Sequence, residues 1–284
     1  MDLIHEILHA LLHPISEALS MAPILFLAYL FMEWLEHNSS TKFLGAVNRS
    51  RKAGPLIGSV LGLIPQCGFS GAIAGMYAAG TVTTGTLLAV ILATSDEMLP
   101  MMIGAKLQAG LIISILILKF AVGVVCGFIL DVALKKRHAE NEKHIHDFCE
   151  QENCSCKDGV WLSALKHTAK ILLIIYIVSA MLHFIVGLVP NDVLATILNF
   201  PVISQFVASL IGLIPNCAVS VTLTQLYIDG ALGISPLMCG LLTNGGVGLL
   251  VLYRVNRNKK DNLKITLAVF LSGLVFGSLA GFIL

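Results

Sequence analysis

Charge is scarce in this sequence: 18 Lys and Arg and 17 Asp and Glu together make up 12% of its 284 residues, leaving a net charge of +1. So small a basic excess, scattered through short loops, makes no face for nucleic acid, and no nucleic-acid partner is expected. No Cys-x-x-Cys pair occurs, and no glycine-rich phosphate-binding loop, so an ATP-driven pump within this chain lacks its nucleotide site. The opening stretch "MDLIHEILHALLHPISEALS" has neither the basic leader nor the small-residue cleavage site of a signal peptide, and the first helix is expected to stay. The polar-apolar alternation of a membrane barrel is also missing.

What is abundant is apolar sequence. Hydrophobic residues make up 56% of the chain and the mean hydropathy is +0.86, well beyond the share of soluble domains. The expected class is an all-α integral membrane protein, multi-pass in the cell membrane, the bacterial inner membrane by preference, with the lipid bilayer as its first partner. Stretches of about 20 apolar residues, enough to cross a bilayer, read at Pro14 to Trp34, Gly104 to Leu130, Leu165 to Val189 and Leu263 to Leu284. Seven cysteines, several in these apolar runs, read as thiols or ligands and not as a secreted disulfide framework.

One phrase occurs twice. "GLIPQCGFS" begins at Gly62 and "GLIPNCAVS" at Gly212, so sliding the chain by 212 − 62 = 150 aligns Gly62 to Pro100 with Gly212 to Leu250, with 11 identities in 39 positions. The matches include Pro65 with Pro215, Cys67 with Cys217, Ser70 with Ser220, Tyr77 with Tyr227 and Gly80 with Gly230. After a further slip of four residues, "FAVGVVCGFIL" from Phe120 lines up with "LVFGSLAGFIL" from Leu274. The expected organisation is a first membrane repeat over 1–131, a linker over 132–162 and a second membrane repeat over 163–284. Basic loops at Lys42 to Lys52, Lys135 to Lys166 and Arg254 to Lys264 fall on the cytoplasmic side by the positive-inside rule. Ala53 to Ala79 and Val202 to Ile228 are too short for two crossings each and read as re-entrant hairpins broken at Pro-amide-Cys. Each repeat then crosses three times, an odd number, which turns the second over relative to the first.

Inverted repeats with broken helices are the mark of a secondary transporter, because broken ends expose backbone dipoles where a solute can be held. Irregular backbone at membrane depth survives only when buried in protein or lining a watery cavity. Gln66 or Asn216 can then bond freed backbone or solute, and Cys67 or Cys217 can face it, unless these thiols merely fill space as most buried cysteines do. A second break, "ATSDEMLP" against "LLTNGGVGL", holds the adjacent acids Asp96 and Glu97; in the second repeat these positions are read as Gly245 and Gly246, after Asn244. Carboxylates at membrane depth are functional candidates because they are costly. They would hold a hard cation such as Mn²⁺ or exchange a proton, although a capping box from Thr94 to Glu97 accounts for them more plainly. Lys119, near the middle of its span, needs an acidic partner or a watery path, and Asp96 or Glu97 is the candidate partner.

The linker carries His138, His144, His146, Cys149, Cys154 and Cys156 within 19 positions. Such mixed imidazole and thiolate groups suit Zn²⁺, Cu⁺ or a trivalent metalloid, as a regulatory metal site or delivery cup, with a solvated loop as the plain alternative. No resident cofactor is otherwise read from the sequence. His5, His9, His13 and Glu17 lie four apart on one helical face, as a wet interfacial side also would.

The duplicated Pro-x-Cys phrases, "TSDEMLP" and the His/Cys loop together resemble the ten-transmembrane heavy-metal exporter family, whose members are labelled arsenic efflux proteins or manganese transporters. The resemblance runs over essentially the whole chain. It implies export, and it implies substrate handling at Pro65, Gln66, Cys67, Asp96, Glu97, Pro215, Asn216 and Cys217; Ser70, Ser220 and Asn244 join them from the repeat. A trivalent metalloid such as arsenite would seek two or three thiolates from Cys67, Cys217, Cys239 and Cys126, whereas Mn²⁺ would use Asp96, Glu97, Gln66 and Asn216. The symmetric thiols tilt the reading toward the soft solute, with a proton or ion gradient as driving force. A membrane thiol oxidoreductase and a passive channel stay open as other classes, and so does a homo-oligomer.

Overall fold

The computed structural model describes residues 53–64, 68–95, 97–134 and 201–284, together with isolated helical positions at 22–30 and 161–177. Every regular element among them is a helix, as the composition required. The first repeat contributes α1 (Gly54–Gly62), α2 (Gly68–Ala78), α3 (Thr84–Ala93), α4 (Met98–Gly104) and α5 (Ala109–Ala133). The second contributes α6 (Pro201–Gly212), α7 (Cys217–Ile228), α8 (Ile234–Thr243), α9 (Gly248–Val255) and α10 (Lys259–Ile283). The order is the same five helices twice.

Helix ends follow from local chemistry. Pro215 has no N–H to continue α6, whose last turn closes through Leu213 N to Leu210 O at 3.2 Å and Ile214 N to Ile211 O at 3.0 Å. The repeated Tyr-x-x-Gly ends α2 and α7 in the same way. Gly80 and Gly230 take positive φ of 74° and 75°, and their N–H groups bond the carbonyls of Tyr77 and Tyr227. Thr81 N and Ala231 N reach back to Met76 O and Leu226 O at 3.0 and 2.9 Å, completing a Schellman end that only a residue without Cβ adopts cheaply. Thr83 caps α3, its hydroxyl accepting from Thr86 N at 3.1 Å.

Four stretches are long and apolar enough to cross a membrane: Thr84–Gly104, Ala109–Ala133, Ile234–Val255 and Lys259–Ile283. The first and third are each interrupted, between α3 and α4 and between α8 and α9, so the run of hydropathy alone did not single them out. The predicted span from Gly104 to Leu130 begins too early. Gly104 closes α4, and a turn follows in which Lys106 has φ 56° and Leu107 N bonds Met102 O at 3.2 Å before α5 starts; apolar residues on both sides hide this turn from hydropathy. The last span starts four residues before the predicted Leu263, because Asn258 caps α10 by accepting from Asp261 N at 3.3 Å. The spans predicted at Pro14 to Trp34 and Leu165 to Val189 lie largely outside the described residues; of the isolated described positions, Phe26 and Trp161 meet with ring centroids 5.9 Å apart.

The four-residue slip between α5 and α10 is not present. The two helices have the same bounds at the offset of 150, and their glycines meet equivalent neighbours. A Cβ on Gly123 would lie 3.5 Å from Ala93 Cβ, and Gly273 presses on Thr243; Gly127 lies against Ala89, and Gly277 against Cys239. The letters misled because glycines spaced by four make two registers, one helical turn apart, look alike.

At the centre lie α3 and α8. All ten residues of α3 are buried, and Pro236 through Thr243 of α8 are buried too. Each is flanked by helices of its own repeat, α3 by α1 and α5, α8 by α6 and α10, and α3 also packs on α8 and α10. The shorter helices cross over: α2 packs on α9 and α7 on α4. Two groups of ends form. Asp131 at the end of α5 accepts from Gly85 N and Thr83 Oγ1, both at 2.7 Å, at the start of α3. Pro55, in the first turn of α1, lies against Gly127, and Tyr77 near the end of α2 donates to Asp261 at the start of α10 at 2.5 Å. At the other end of α10, Gly281 meets Ser235 at the start of α8, and Ser278 donates to Gln205 of α6 at 2.8 Å.

Candidate functional site

Each repeat has two breaks, and the two are in contact. In the first, Ser95 follows the end of α3 and bonds the end of α1, through its N to Gly62 O at 3.2 Å and its Oγ to Leu63 O at 2.7 Å. These bonds satisfy carbonyls that a helix end leaves orphaned. In the second, Gly212 presses on Thr243, whose hydroxyl bonds Cys239 O at 2.9 Å and Gly240 O at 3.0 Å. The repeats also meet there: a Cβ on Gly248 would lie 2.8 Å from Ser70 Cβ, and one on Gly245 would lie 2.7 Å from Ile91.

Ser70 and Ser220 are buried in the first turns of α2 and α7, where helix N-termini offer free N–H groups. Asn216 is buried in the break, its N donating to Ile214 O at 2.8 Å and its carbonyl receiving Val219 N at 3.4 Å. Cys217 opens α7. Asn244 is 2% exposed; its Oδ1 accepts from Gly246 N at 3.0 Å, which fixes the amide orientation, and its Nδ2 has no hydrogen-bond partner among the described residues. A buried donor left unmade costs about 1–3 kcal/mol. Gln66, Cys67 and Asp96 lie outside the described residues, as do His144, His146, Cys149, Cys154 and Cys156.

Glu97 stands just before α4, and its side chain is exposed and makes no cap. The capping box does not form, because the Thr94 hydroxyl turns back to Val90 O at 2.7 Å instead of capping forward. Helix bounds also correct the pairing of the acids. With α3 ending at Ala93 and α8 at Thr243, the offset of 150 holds through the second break, so the sequence counterpart of Asp96 is Gly246 and that of Glu97 is Val247.

Cys126 and Cys239 are buried and free. Both lie in seams against α10, Cys126 bonded to Ser272 and Cys239 3.7 Å from Ser278 Oγ and 3.6 Å from Leu274 O. Neither meets another described cysteine. Among the described residues no group of three or more His, Cys, Asp or Glu is close enough to hold a metal.

Sequence reasoning missed two features. Ser59 and Ser209, both fully buried, are one pair at the offset of 150, and the Ser59 hydroxyl has no hydrogen-bond partner among the described residues; the repeat signals them just outside the window of strongest identity. Lys119 is fully buried and donates to Leu241 O at 2.7 Å, near the end of α8 in the other repeat; nothing local announces that partner.

No curated protein and no solved structure matches the chain. A family model does, over residues 20–189, more than half of the length. That agrees with the expectation of a membrane exporter and points away from the thiol oxidoreductase. The chain therefore belongs to the family described as "Putative, 10TM heavy-metal exporter".

Proposed function

We propose that this protein is a secondary-active exporter of a metal or metalloid, built from two inverted membrane repeats whose hairpins enter from opposite faces. Support for the inversion comes from the helix ends. The starts of α1 and α3 lie with the end of α5 and the start of α10, while α6 and α8 start beside the end of α10. The helices α1, α2, α6 and α7, of 9 to 12 residues, are about 14–18 Å long at ~1.5 Å per residue, half of a roughly 30 Å hydrocarbon core. Each pair goes in and returns. The basic residues beyond the end of α5 and before α10 put that shared end in the cytoplasm. Multi-pass insertion in the bacterial inner membrane, the linker over 132–162 as a metal-responsive element and gradient-driven transport complete the reading.

The observation that carries it is the contact between breaks of both repeats, Gly248 against Ser70 and Gly245 against Ile91, next to the buried Asn244, whose Nδ2 is unpartnered among the described residues. Neutral donors suit a hydroxylated metalloid such as arsenite, which Cys67 and Cys217 would take as thiolates. The second reading is a divalent cation held by Asp96 and Glu97. It is favoured by the exposed Glu97, which at membrane depth implies water and not lipid.

The test is metal accumulation in an efflux-deficient bacterial host challenged with arsenite and with Mn²⁺. It would carry wild type, Cys67→Ser with Cys217→Ser, or Asp96→Asn with Glu97→Gln. Lowered arsenic that is lost with the serine pair supports the metalloid site. Lowered manganese that depends on the carboxylates and ignores the cysteines overturns it in favour of the cation.

A further inference from the structure

We propose that Lys119 carries the coupling proton: its ammonium serves as a tethered cation at the broken end of α8, and its loss of a proton releases that end. The inference rests on the exporter reading above. Leu241 is among the last residues of α8, whose C-terminal carbonyls have no partner within the helix and carry the negative end of its dipole. In transporters with interrupted helices such ends hold the coupling cation. Here the chain supplies a cation of its own, from the other repeat, with Nζ 2.7 Å from Leu241 O and the whole side chain 0% exposed. The position is not shared by symmetry. Its counterpart at the offset of 150 is Val269, equally buried and without charge, so the fold does not need an ammonium there. An ionisable residue deep in a span is costly, and Lys, unlike Arg, can shed its proton when buried.

The surrounding elements limit what else can titrate. On α5 itself stand Cys126 and, twelve residues and about 18 Å along the helix, Asp131. The helices α1, α3 and α4 carry no titratable group. Glu97 precedes α4, with Asp96 before it; α8 offers Cys239; and α10 has Lys259, Lys260, Asp261 and Lys264 in its first six residues. In each cycle one Nζ–H bond breaks, the electron pair stays on nitrogen and the proton leaves to water on one side. The same nitrogen takes a proton from water on the other side when the α8 end closes again.

The experiment uses proteoliposomes of the full chain, loaded with arsenite or Mn²⁺, comparing wild type with Lys119→Arg. The readouts are solute-evoked proton flux, uphill transport under a pH gradient, and solute exchange with no gradient. Arginine keeps the charge and donors but does not release a proton. The expected result is exchange kept within about threefold while proton flux and uphill transport fall at least about tenfold. An arginine variant with wild-type proton flux overturns the proposal. If that variant does not fold, Lys119→His decides: a coupled-transport profile shifted to lower pH supports the proposal, and an unchanged profile overturns it. A wild type that moves neither solute sinks the exporter reading and this inference with it, whereas proton-coupled Lys119→Arg sinks this inference alone.

Discussion

At Asn244 one side chain does two separable things. Its Oδ1 holds Gly246 N at 3.0 Å and so fixes the second break, while its Nδ2 makes no bond among the described residues. Removing the amide should therefore cost little stability and much transport. For Asn244→Ala the expected loss is about 1 kcal/mol, the worth of one net hydrogen bond, read as a small fall in melting temperature in detergent. Export of the active solute should fall at least about tenfold, as when a buried polar contact to a ligand is lost. A variant with large destabilisation and normal export would assign Asn244 to structure alone. Candidate residues such as Ser70, Asn216 and Ser220 were legible because they recur beside a proline at one offset. The free Nδ2 was not, since an amide's partner is set by whichever backbone N–H comes within reach after folding.

Helix elements depend on where backbones can approach. A Cβ on Gly277 would lie 2.5 Å from Cys239 N and Cα, backbone atoms that cannot swing aside. Gly277→Ala should therefore cost about 1–3 kcal/mol by forcing α8 and α10 apart. Gly110, in the first turn of α5, has nothing within 4 Å of a built Cβ, and Gly110→Ala should gain about 0.5–1 kcal/mol through helix propensity. Thermal unfolding of the two variants checks both, and equal shifts would refute the packing account. The same close approaches set the α5 and α10 register. Gly123, Gly127, Gly273 and Gly277 recur every four residues, so the letters permitted a slip of one turn that the contacts with Ala93, Ala89, Thr243 and Cys239 forbid.

On the scale of the molecule, the two repeats share one centre, α3 against α8, while the linker with its His and Cys residues lies between them in sequence. Deleting His144 to Cys156 should lower the response to metal without abolishing transport, measured as efflux against external metal concentration; complete loss would make the loop part of the pathway. By itself the sequence determined the all-helical membrane class, the family resemblance, the duplication and the sites of the breaks. These follow from composition and from proline and glycine, whose effects on the backbone act within a turn. Only the tertiary structure decided that the breaks of the two repeats touch, that Thr94 turns away from Glu97 and that Lys119 reaches Leu241 in the other repeat. Those facts join positions as far apart as Lys119 and Leu241, 122 residues, and Ser70 and Gly248, 248 − 70 = 178 residues, and no local preference specifies which backbone a buried side chain meets once the helices have packed.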